Sequence, residues 1–394
     1  MKICFMNPTI EMRRSVAELA RKMADNGHEV AMVWPRFRKK ELDTSRHFTG
    51  LLVHKNIKII EIPCRQVPGL FYSWPIPCRG FVRKIKEILS YYDIVHMWTY
   101  FYILHVTPLI LRRFRKYKAK VVVTADTFPA FSFRDPSTAV NTAMYLYAKL
   151  FGRFIFSSCD RVLIYGDSMA KFALRAGVRK KNLRVLPIGL ETKMFEKHDA
   201  LAVEKVRQEF GIDNNTSMIL FVGLINPRKG IDTLIRAAKI LADRGLKIRV
   251  VCAGEEKLKD KYEKMAKELG LEGIVVFPGR RKDIPALMDA ADFLMLPAKG
   301  EGLPGVIMEA AAASKPAVAS NTPCIPDLVV DAKTGFLCEI GNAAEFANAA
   351  EKLIQNKGLR QRFGSAAHEH IQAYDWKVIL GQYERFYRGL LRSE

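Results

Sequence analysis

The sequence lacks the patterns of several common protein classes. Its seven cysteines form no Cys-x-x-Cys pair, which favours reduced thiols in a cytosolic setting. No run of about 18 apolar residues occurs, so we expect no membrane-spanning helix. The segment Met1–Met6 contains no long apolar stretch, so we also expect no secretory signal peptide.

Two phosphate-binding motifs are absent as well. The first strand-like segment leads into Asn7-Pro8-Thr9 instead of Gly-x-Gly-x-x-Gly, which argues against a nicotinamide oxidoreductase in the first domain. No Gly-x4-Gly-Lys-Ser/Thr loop occurs, which disfavours a P-loop ATPase. The eight histidines form no convincing metal-ligand cluster, and we interpret His368 and His370 as structural residues on a surface helix.

Positive charge is in excess and unevenly placed. The 394 residues hold 63 Lys/Arg and 41 Asp/Glu, a net charge of +22, within a globular composition that is 49% hydrophobic. Residues 1–200 hold 35 Lys/Arg and 16 Asp/Glu, a balance of +19, whereas residues 201–394 hold 28 and 25, a balance of +3. A basic first half indicates an anionic partner: nucleic acid, an anionic membrane surface or a phosphorylated substrate.

Two successive βαβ series run along the chain. The first begins with strand-like Lys2–Met6, helical Val16–Asn26 and strand-like Glu29–Trp34, which is the unit of a parallel sheet. Further strands are predicted at Ile57–Ile62, Ile94–Met97, Lys120–Thr124 and Arg161–Tyr165, and in the second series at Met218–Val222, Lys247–Ala253, Ile274–Phe277, Phe293–Leu296 and Ala317–Ser320. This pattern predicts an α/β fold of two Rossmann-like, doubly wound domains facing a cleft.

We place the domains at residues 1–190 and 191–373, followed by a terminal segment at 374–394. The terminal segment predicts a helix, Trp376–Leu391, with a large aromatic and aliphatic stripe close to one face. A stripe of that size must be buried, so we expect this helix to pack back on the first domain.

The second domain contains a candidate diphosphate site. The strand Met218–Val222 leads through Gly223 into a segment where Arg228 and Lys229 stand just before a predicted helix. A helix N-terminus offers unpaired N–H groups and the positive end of the helix dipole, to which two cations add. The structural alternative is a solvated turn.

A glycine-rich segment follows a later strand and opens another helix. Residues 297–309 place Glu301 in the loop and Glu309 about two turns into the helix, with Gly302 and Gly305 freeing backbone N–H groups toward a ligand. A carboxylate accepts hydrogen bonds from vicinal sugar hydroxyls, so the two acids are interpreted as holding two sugars at opposite ends of a diphosphate. The structural alternative is a capping loop with one surface Glu.

Residues 221–230, the Glu301 and Glu309 pair, and Thr334-Gly-Phe-Leu337 together resemble the nucleotide-sugar half of a family-4 retaining glycosyltransferase with the GT-B fold (glycosyl transferases group 1). Leu186–Phe195 is similar to the interdomain segment of that family, and the last helix to its returning C-terminal helix. The resemblance covers the second half well and the first half in outline. It implies transfer of a sugar from a UDP- or GDP-sugar to an acceptor. It also implies that no cofactor and no bound metal are needed, because Lys and Arg supply the positive charge.

The resemblance assigns roles residue by residue. It implies that Glu301 holds hydroxyls of the donor sugar near the reacting carbon, that Glu309 holds the donor ribose, and that Lys229 neutralises the leaving diphosphate. The other donor-binding positions that it implies are Gly223, Arg228, Gly279, Arg280, Gly302, Leu303, Pro304, Gly305 and Val306.

The first half departs from the family pattern, which affects the acceptor side. Asp126 occupies a region where the family often has a histidine, so we expect Asp126 to face the sugar and count it as catalytic. Asn7, Thr9 and His96 are acceptor-side candidates, with a packed strand-end histidine as the alternative for His96. In the second half, Leu224 follows Gly223 where the family usually has Arg, and we suggest Arg228 as the replacement cation.

Two mechanisms are open to a retaining transfer. One uses a protein nucleophile and a covalent intermediate, as in retaining glycosidases. In the other, the acceptor attacks from the same face as the departing phosphate, which acts as the base. The resemblance favours the second, in which catalysis rests on stabilising the leaving group.

Three segments of the first half combine cations with aromatic side chains: residues 69–86, 98–116 and 145–156. Trp and Tyr suit a membrane interface, and Lys and Arg attract anionic lipid. We therefore expect a peripheral enzyme on the cytoplasmic face of the cell membrane that takes a lipid or lipid-linked acceptor. The alternative is that the aromatic residues are core and the cations an ordinary solvated face.

Other functions stay open at this point. The same fold could serve a soluble acceptor, nucleotide-sugar epimerisation or phosphorolysis. Mixed Arg and aromatic segments also suit single-stranded nucleic acid, but no RRM, zinc-finger or helix-turn-helix pattern occurs, so we expect no nucleic-acid partner. The sequence does not choose between UDP and GDP, nor does it identify the sugar or the acceptor.

Overall fold

The chain folds into two units, each built on a parallel sheet. The computed structural model describes residues 1–7, 13–37, 56–65, 76–132, 137–197, 199–255 and 258–392. Unit 1 comprises Met1–Ile188 with Lys377–Glu394, and unit 2 comprises Gly189–Trp376.

The sheet of unit 1 has eight strands in the described part of the chain, in the order β4-β3-β2-β1-β5-β6-β7-β8. All neighbours are parallel except β4, which runs antiparallel to β3. The strands are β1 (Lys2–Met6), β2 (Glu29–Phe37), β3 (Ile57–Arg65), β4 (Ile76–Pro77), β5 (Ile94–Trp98), β6 (Lys120–Thr124), β7 (Arg161–Ile164) and β8 (Leu183–Val185). Ile3 of β1 lies between Val30 of β2 and Ile94 of β5, so the strand order reverses next to β1.

Helices cover this sheet, whose central strands are mostly apolar. Ile3 to Met6 are all fully buried, as expected of a parallel strand that is covered on both faces. The helices of unit 1 are α1 (Arg14–Asp25), α2 (Phe81–Tyr91), α3 (Ile103–Phe114), α4 (Thr138–Ser157), α5 (Ala170–Arg175) and the last helix, α13 (Trp376–Arg392). Tyr383 and Tyr387 of α13 are fully buried, and Tyr387 contacts β5 through His96. The terminal helix therefore packs on unit 1, as its aromatic stripe predicted.

The sheet of unit 2 has six described strands, all parallel, in the order β11-β10-β9-β12-β13-β14. They are β9 (Ser217–Val222), β10 (Ile248–Ala253), β11 (Val275–Gly279), β12 (Phe293–Leu296), β13 (Ala317–Ser320) and β14 (Gly335–Cys338). The helices of unit 2 are α6 (Ala200–Glu209), α7 (Ile231–Asp243), α8 (Lys259–Glu268), α9 (Ile284–Ala290), α10 (Gly305–Ala312), α11 (Ala343–Gln355) and α12 (Lys357–Ile371).

Strand β14 was not among the predicted strands. Its first residue is Gly335, and steric contact with the neighbouring strand explains why this residue is a glycine. A Cβ atom at Gly335 would lie 2.1 Å from the carbonyl oxygen of Ala317 on the neighbouring strand β13. The close approach of the two strands therefore accounts for the glycine in the Thr334-Gly-Phe-Leu337 segment.

Three of the four aromatic residues at 98–102 do not reach the surface. Trp98, Tyr100 and Tyr102 are all buried in the core of unit 1, and Trp98 Nε1 donates a hydrogen bond to Tyr165 Oη over 2.8 Å. For these three residues, burial supports the alternative that the aromatic side chains belong to the core. Residues 69–74 lie outside the described residues.

Candidate functional site

The loop that contains Arg228 and Lys229 and the loop that contains Glu301 meet at the edge of the unit 2 sheet, at the point where the strand order reverses. The chain leaves β9 toward β10 and β11 on one side and resumes at β12 on the other side. Ligands of open parallel sheets bind beyond the carboxyl ends of the strands at such a switch point. Gly223 begins the loop after β9, and Glu301 lies in the loop after β12, so both loops border this position.

The loop after β9 is shaped by an asparagine cap and a glycine. Asn226 Oδ1 accepts a hydrogen bond from the backbone N–H of Lys229 over 3.1 Å, which starts a 3₁₀ turn at Pro227–Lys229. Gly230 follows with φ +71°, and a Cβ atom there would lie 1.9 Å from the carbonyl oxygen of Pro297. The backbone of this loop therefore rests directly on the loop after β12, and only glycine fits at the contact.

Two cations converge on the buried carboxylate of Glu301. Lys229 Nζ lies 2.8 Å from Glu301 Oε1, and Arg228 Nη1 lies 3.4 Å from Oε2. Arg228 Nη1 also donates a hydrogen bond to the carbonyl oxygen of Gly300 over 2.6 Å. The side chains of Glu301 and Lys229 are only 7% and 12% exposed, so the pairing offsets the cost of burying the carboxylate.

One oxygen of Glu301 keeps a hydrogen-bonding position open. Oε1 is buried, and beyond its ion pair with Lys229 Nζ it has no hydrogen bond from the described residues. A buried carboxylate oxygen in this state gains from a donor that a ligand supplies. The geometry thus offers a ligand hydroxyl a charged, oriented acceptor.

The helix that follows the Glu301 loop presents an uncapped N-terminus. Helix α10 begins at Gly305, and no side chain caps its first N–H groups. A Cβ atom at Gly305 would meet no atom within 4 Å, so there is space in front of this turn. Free N–H groups at a helix start attract an anion such as a phosphate. Glu309 is buried and lies one turn into α10, not two as predicted, because the helix begins at Gly305.

The remaining donor-side candidates lie on the same carboxyl edge of the unit 2 sheet. Gly302 and Leu303 are half-buried in the loop, and Pro304 and Val306 are buried on either side of the start of α10. Gly279 ends β11 with φ +77°, and Arg280 is exposed just after it.

Sequence reasoning missed Gly254, which follows β10 and contacts the backbone at the ends of both neighbouring strands, β9 and β11. A Cβ atom at Gly254 would lie 1.7 Å from the carbonyl oxygen of Gly223, and the Gly254 N–H donates to the carbonyl oxygen of Gly279 over 2.9 Å. The signal was present, because a glycine directly follows β10 in the same way as Gly223 follows β9.

Lys299 was also missed. Its Nζ lies 3.0 Å from Asp232 Oδ2 in the first turn of α7, and its N–H donates to the carbonyl oxygen of Arg228 over 2.8 Å. These two contacts fix the loop that carries Glu301 to the loop that carries Lys229.

In unit 1, the acceptor-side candidate Asn7 and the predicted catalytic residue Asp126 both contact one arginine. Asn7 is fully buried after β1, and its Oδ1 accepts a hydrogen bond from the Arg13 N–H over 3.3 Å. Arg13 Nη1 forms an ion pair with Asp126 Oδ2, and the other oxygen of Asp126 is buried without a hydrogen bond from the described residues. Arg13 was not predicted, and Thr9 lies outside the described residues.

The structure places His96 in the core of unit 1 instead of at an exposed strand end. Its Nδ1 lies 2.6 Å from Tyr387 Oη, its Nε2 lies 2.7 Å from Thr124 Oγ1, and its ring stacks on Trp98. Burial lowers the pKa of His96 to about 3, so the ring is neutral. Both ring nitrogens are occupied inside unit 1, which supports the packed-histidine alternative.

The two buried histidines, His96 and His105, predict that the folded protein loses stability in acid. Burial and, to a smaller extent, the positive charge of Arg13 lower the pKa of His105 to about 3. The unfolded chain takes up a proton at each histidine below about pH 6.5, whereas the folded state does so only near pH 3, so stability falls as the pH drops through this window. At pH 4.5 we expect each histidine to cost about 2–3 kcal/mol of unfolding free energy relative to pH 7.5. Urea unfolding of the wild type and of His96→Gln at both pH values measures this, and an identical pH dependence for both proteins contradicts it.

No three His, Cys, Asp or Glu side chains converge on a position that could hold a metal ion in the described ranges. Within the same ranges, no helix is both long and apolar enough to span a membrane. His368 and His370 instead contact the backbone carbonyl oxygens of Ala312 and Asp327.

Solved structures and curated proteins resemble the chain over different lengths. HepE from Anabaena, crystallised in complex with UDP and glucose, is 21% identical with a TM-score of 0.78, covering 99% of this chain and 100% of HepE, which shows a shared GT-B fold. The N-acetyl-alpha-D-glucosaminyl L-malate synthase of Bacillus anthracis is 22% identical, covering 96% of this chain and 93% of that protein. The D-inositol 3-phosphate glycosyltransferase of Corynebacterium aurimucosum is 32% identical over 222 residues, 54% of this chain. That match spans about half the relative's length, 52%.

Two family models match successive parts of the chain. The model described as Glycosyltransferase Family 4 matches residues 12–193, and the model described as Glycosyl transferases group 1 matches residues 202–370. The first match lies on unit 1 except for its last five residues, and the second lies within unit 2, so the two together cover most of both units. The chain belongs to the family-4 glycosyltransferases with the GT-B fold.

Proposed function

We propose that this protein is a retaining glycosyltransferase that moves a sugar from a UDP- or GDP-sugar to an acceptor hydroxyl, without a bound metal. The observation that carries the proposal is the buried Glu301 carboxylate, which is paired with Lys229 and Arg228 next to the open N-terminus of α10. A carboxylate for sugar hydroxyls, cations and helix N–H groups for a diphosphate, and a second buried carboxylate for a ribose suit the successive parts of a nucleotide sugar.

In the proposed ground state, Glu301 Oε1 accepts a hydrogen bond from a donor-sugar hydroxyl. Glu309 accepts from the ribose hydroxyls at the other end of the diphosphate. Lys229 and Arg228, together with the N–H groups around Gly305 and Val306, contact the diphosphate oxygens between these two sugars. Gly223 and Gly279 bring the strand-end backbone close to the nucleotide, and Arg280 lies on the side of the base.

In the proposed transfer step, the bond between the sugar C1 atom and the diphosphate oxygen breaks while the acceptor oxygen bonds to C1 on the same face. The acceptor proton moves to the departing β-phosphate oxygen, so atoms and charge balance without a protein base. Lys229 stabilises the negative charge that develops on that oxygen, which is the main requirement of this mechanism. Because the two cations supply the positive charge, we expect EDTA to leave the rate unchanged.

On the acceptor side, Asp126 and Asn7 are the proposed contacts for the acceptor or the transferred sugar. Support comes from the open oxygen of Asp126 and from Arg13, which orients both side chains. The net charge of +19 in residues 1–200 favours an anionic, lipid or lipid-linked acceptor at the cytoplasmic face of the cell membrane.

Nucleotide binding tests the donor site. We expect UDP or GDP at 100 times its Kd to raise the free energy of unfolding by about 2.7 kcal/mol, seen as a thermal shift. Glu309→Gln should weaken that nucleotide at least tenfold, because the charged acceptor for the ribose hydroxyls is lost. Glu272→Gln, which removes an exposed acid of unit 2, is the matched control. A protein that responds to neither nucleotide contradicts the donor site.

Product release separates the proposed transfer from its alternatives. We expect a nucleotide sugar to release nucleoside diphosphate only when an acceptor is added, and the product to keep the anomeric configuration of the donor. An epimerase would convert the nucleotide sugar without release, and a phosphorolytic enzyme would require inorganic phosphate. Either result would replace glycosyl transfer with that reaction.

A further inference from the structure

Helix α4 presents an apolar stripe outward from unit 1. Leu146, Leu150 and Phe154 repeat every four residues and are 50%, 70% and 39% exposed. The side of α4 that packs on unit 1 consists of Ala148, Gly152, Ile155 and Phe156, which are buried. A surface helix of a globular protein normally turns polar residues outward, whereas α4 exposes an apolar stripe to water.

The orientation of α4 is fixed by two close backbone contacts. A Cβ atom at Gly152 would lie 2.1 Å from the carbonyl oxygen of Ala176. A Cβ atom at Gly177 would lie 2.7 Å from the backbone nitrogen of Arg153. Contacts this tight hold α4 against the turn after α5, so the outward stripe does not result from loose packing.

The neighbouring helix also exposes apolar side chains. Helix α3 packs beside α4, with Ile110 40% exposed and Phe114 82% exposed. We use the term α3–α4 face for the exposed side chains of Ile110, Phe114, Leu146, Leu150, Phe151 and Phe154. Several large apolar side chains on adjacent helices form a surface of the kind that marks an interaction site.

The exposed charges of these two helices are of one sign. Helices α3 and α4 contain no Asp or Glu, and Arg113, Lys149 and Arg153 are exposed, whereas Arg112 is paired with Asp160 just after α4. Lys149 and Arg153 each precede a stripe residue, Leu150 or Phe154, so they flank the stripe along one side of α4. A second copy of the chain would bring the same positive charge to a symmetric contact, which disfavours self-association. Apolar side chains beside Lys and Arg, with no acid, suit a partner with an oily interior and an anionic surface.

We propose that the α3–α4 face docks peripherally on an anionic lipid bilayer. Leu150, Phe154 and Phe114 insert at the boundary of the acyl chains, and Lys149 and Arg153 contact lipid phosphates. The inference deepens the proposed function and rests on it for the lipid nature of the acceptor. It also limits the membrane contact within residues 98–116 and 145–156 to the side chains that are exposed.

Vesicle flotation of the full chain tests the docking face. At low salt we expect the wild type to float with vesicles of phosphatidylcholine and phosphatidylglycerol and much less with phosphatidylcholine alone. Leu150→Glu combined with Phe154→Glu should reduce binding more than tenfold. Lys149→Gln combined with Arg153→Gln should reduce it by about fivefold per cation. The matched control is Leu201→Glu, which makes the same substitution at an 86% exposed leucine that belongs to unit 2 and not to the α3–α4 face, and it should float like the wild type.

Nucleotide binding by the same variants keeps this proposal separate from the proposed function. UDP or GDP should shift the melting temperature of the Leu150→Glu and Phe154→Glu variant as it shifts that of the wild type. Absence of vesicle binding by the wild type, or equal binding by this variant, overturns the docking face even if nucleotide binding is intact. Dimerisation in solution that Leu150→Glu abolishes, or displacement of vesicles by a random oligonucleotide at equal charge, also overturns it.

Discussion

Replacing Lys229 by alanine should lower kcat by about 10²–10³-fold while the protein still folds. The ammonium group of Lys229 lies 2.8 Å from Glu301 Oε1 and is mostly shielded from water. It would stabilise the departing diphosphate, and the loss of one charged contact in a dry site costs about 2.7–4 kcal/mol in the transition state. Steady-state kinetics with the nucleotide sugar measure the effect. Far-UV circular dichroism and a melting curve report whether the fold is retained.

Two further variants serve as controls for Lys229→Ala. Lys239→Ala removes a lysine of α7 that pairs with Asp243 on the surface, and it should leave kcat unchanged. Lys229→Arg keeps the charge with a different shape and should recover part of the rate. An unchanged kcat in Lys229→Ala would remove Lys229 from the mechanism, and a loss of the fold would assign it a structural role.

Replacing Gly230 by alanine should cost about 3–5 kcal/mol of unfolding free energy and weaken nucleotide binding with it. The new Cβ atom would lie 1.9 Å from the Pro297 carbonyl oxygen at a backbone φ of +71°, so either the glycine loop or the Glu301 loop has to move. Such a shift separates Lys229 from Glu301, because each stands within four residues of this contact. Urea unfolding and nucleotide titration measure the two effects.

Gly245→Ala is the matched control for the contact itself. Gly245 has nearly the same backbone angle, φ +74°, but a Cβ atom there meets nothing within 4 Å. This variant carries only the conformational cost of about 1–2 kcal/mol and should bind nucleotide normally. If both glycine variants lose the same stability, the close approach of the two loops does not matter.

Local pattern was sufficient to place most strands and the donor-side loops. The apolar runs of β1 and β12 and the periodicity of α7 occur at the residues where the elements form. Asn226 before a Pro-Arg-Lys turn, and glycines after strand ends, have local conformational reasons that a sequence displays directly. The strands β4, β8 and β14 were not predicted: β4 and β8 have only two and three residues, and β14 begins at Gly335, a residue that is more typical of a loop than of a strand.

The sequence by itself determined the α/β class, the acid pair at 301 and 309 and the basic first half, since each depends on residue type and short spacing. Only the tertiary structure decided that Lys229 contacts Glu301, 72 positions away, and that Gly230 rests on Pro297. It also decided that Trp98 and His96 are core whereas Leu150 faces outward. Burial of an apolar or aromatic side chain depends on which distant helix or strand covers it. No local spacing contains that information.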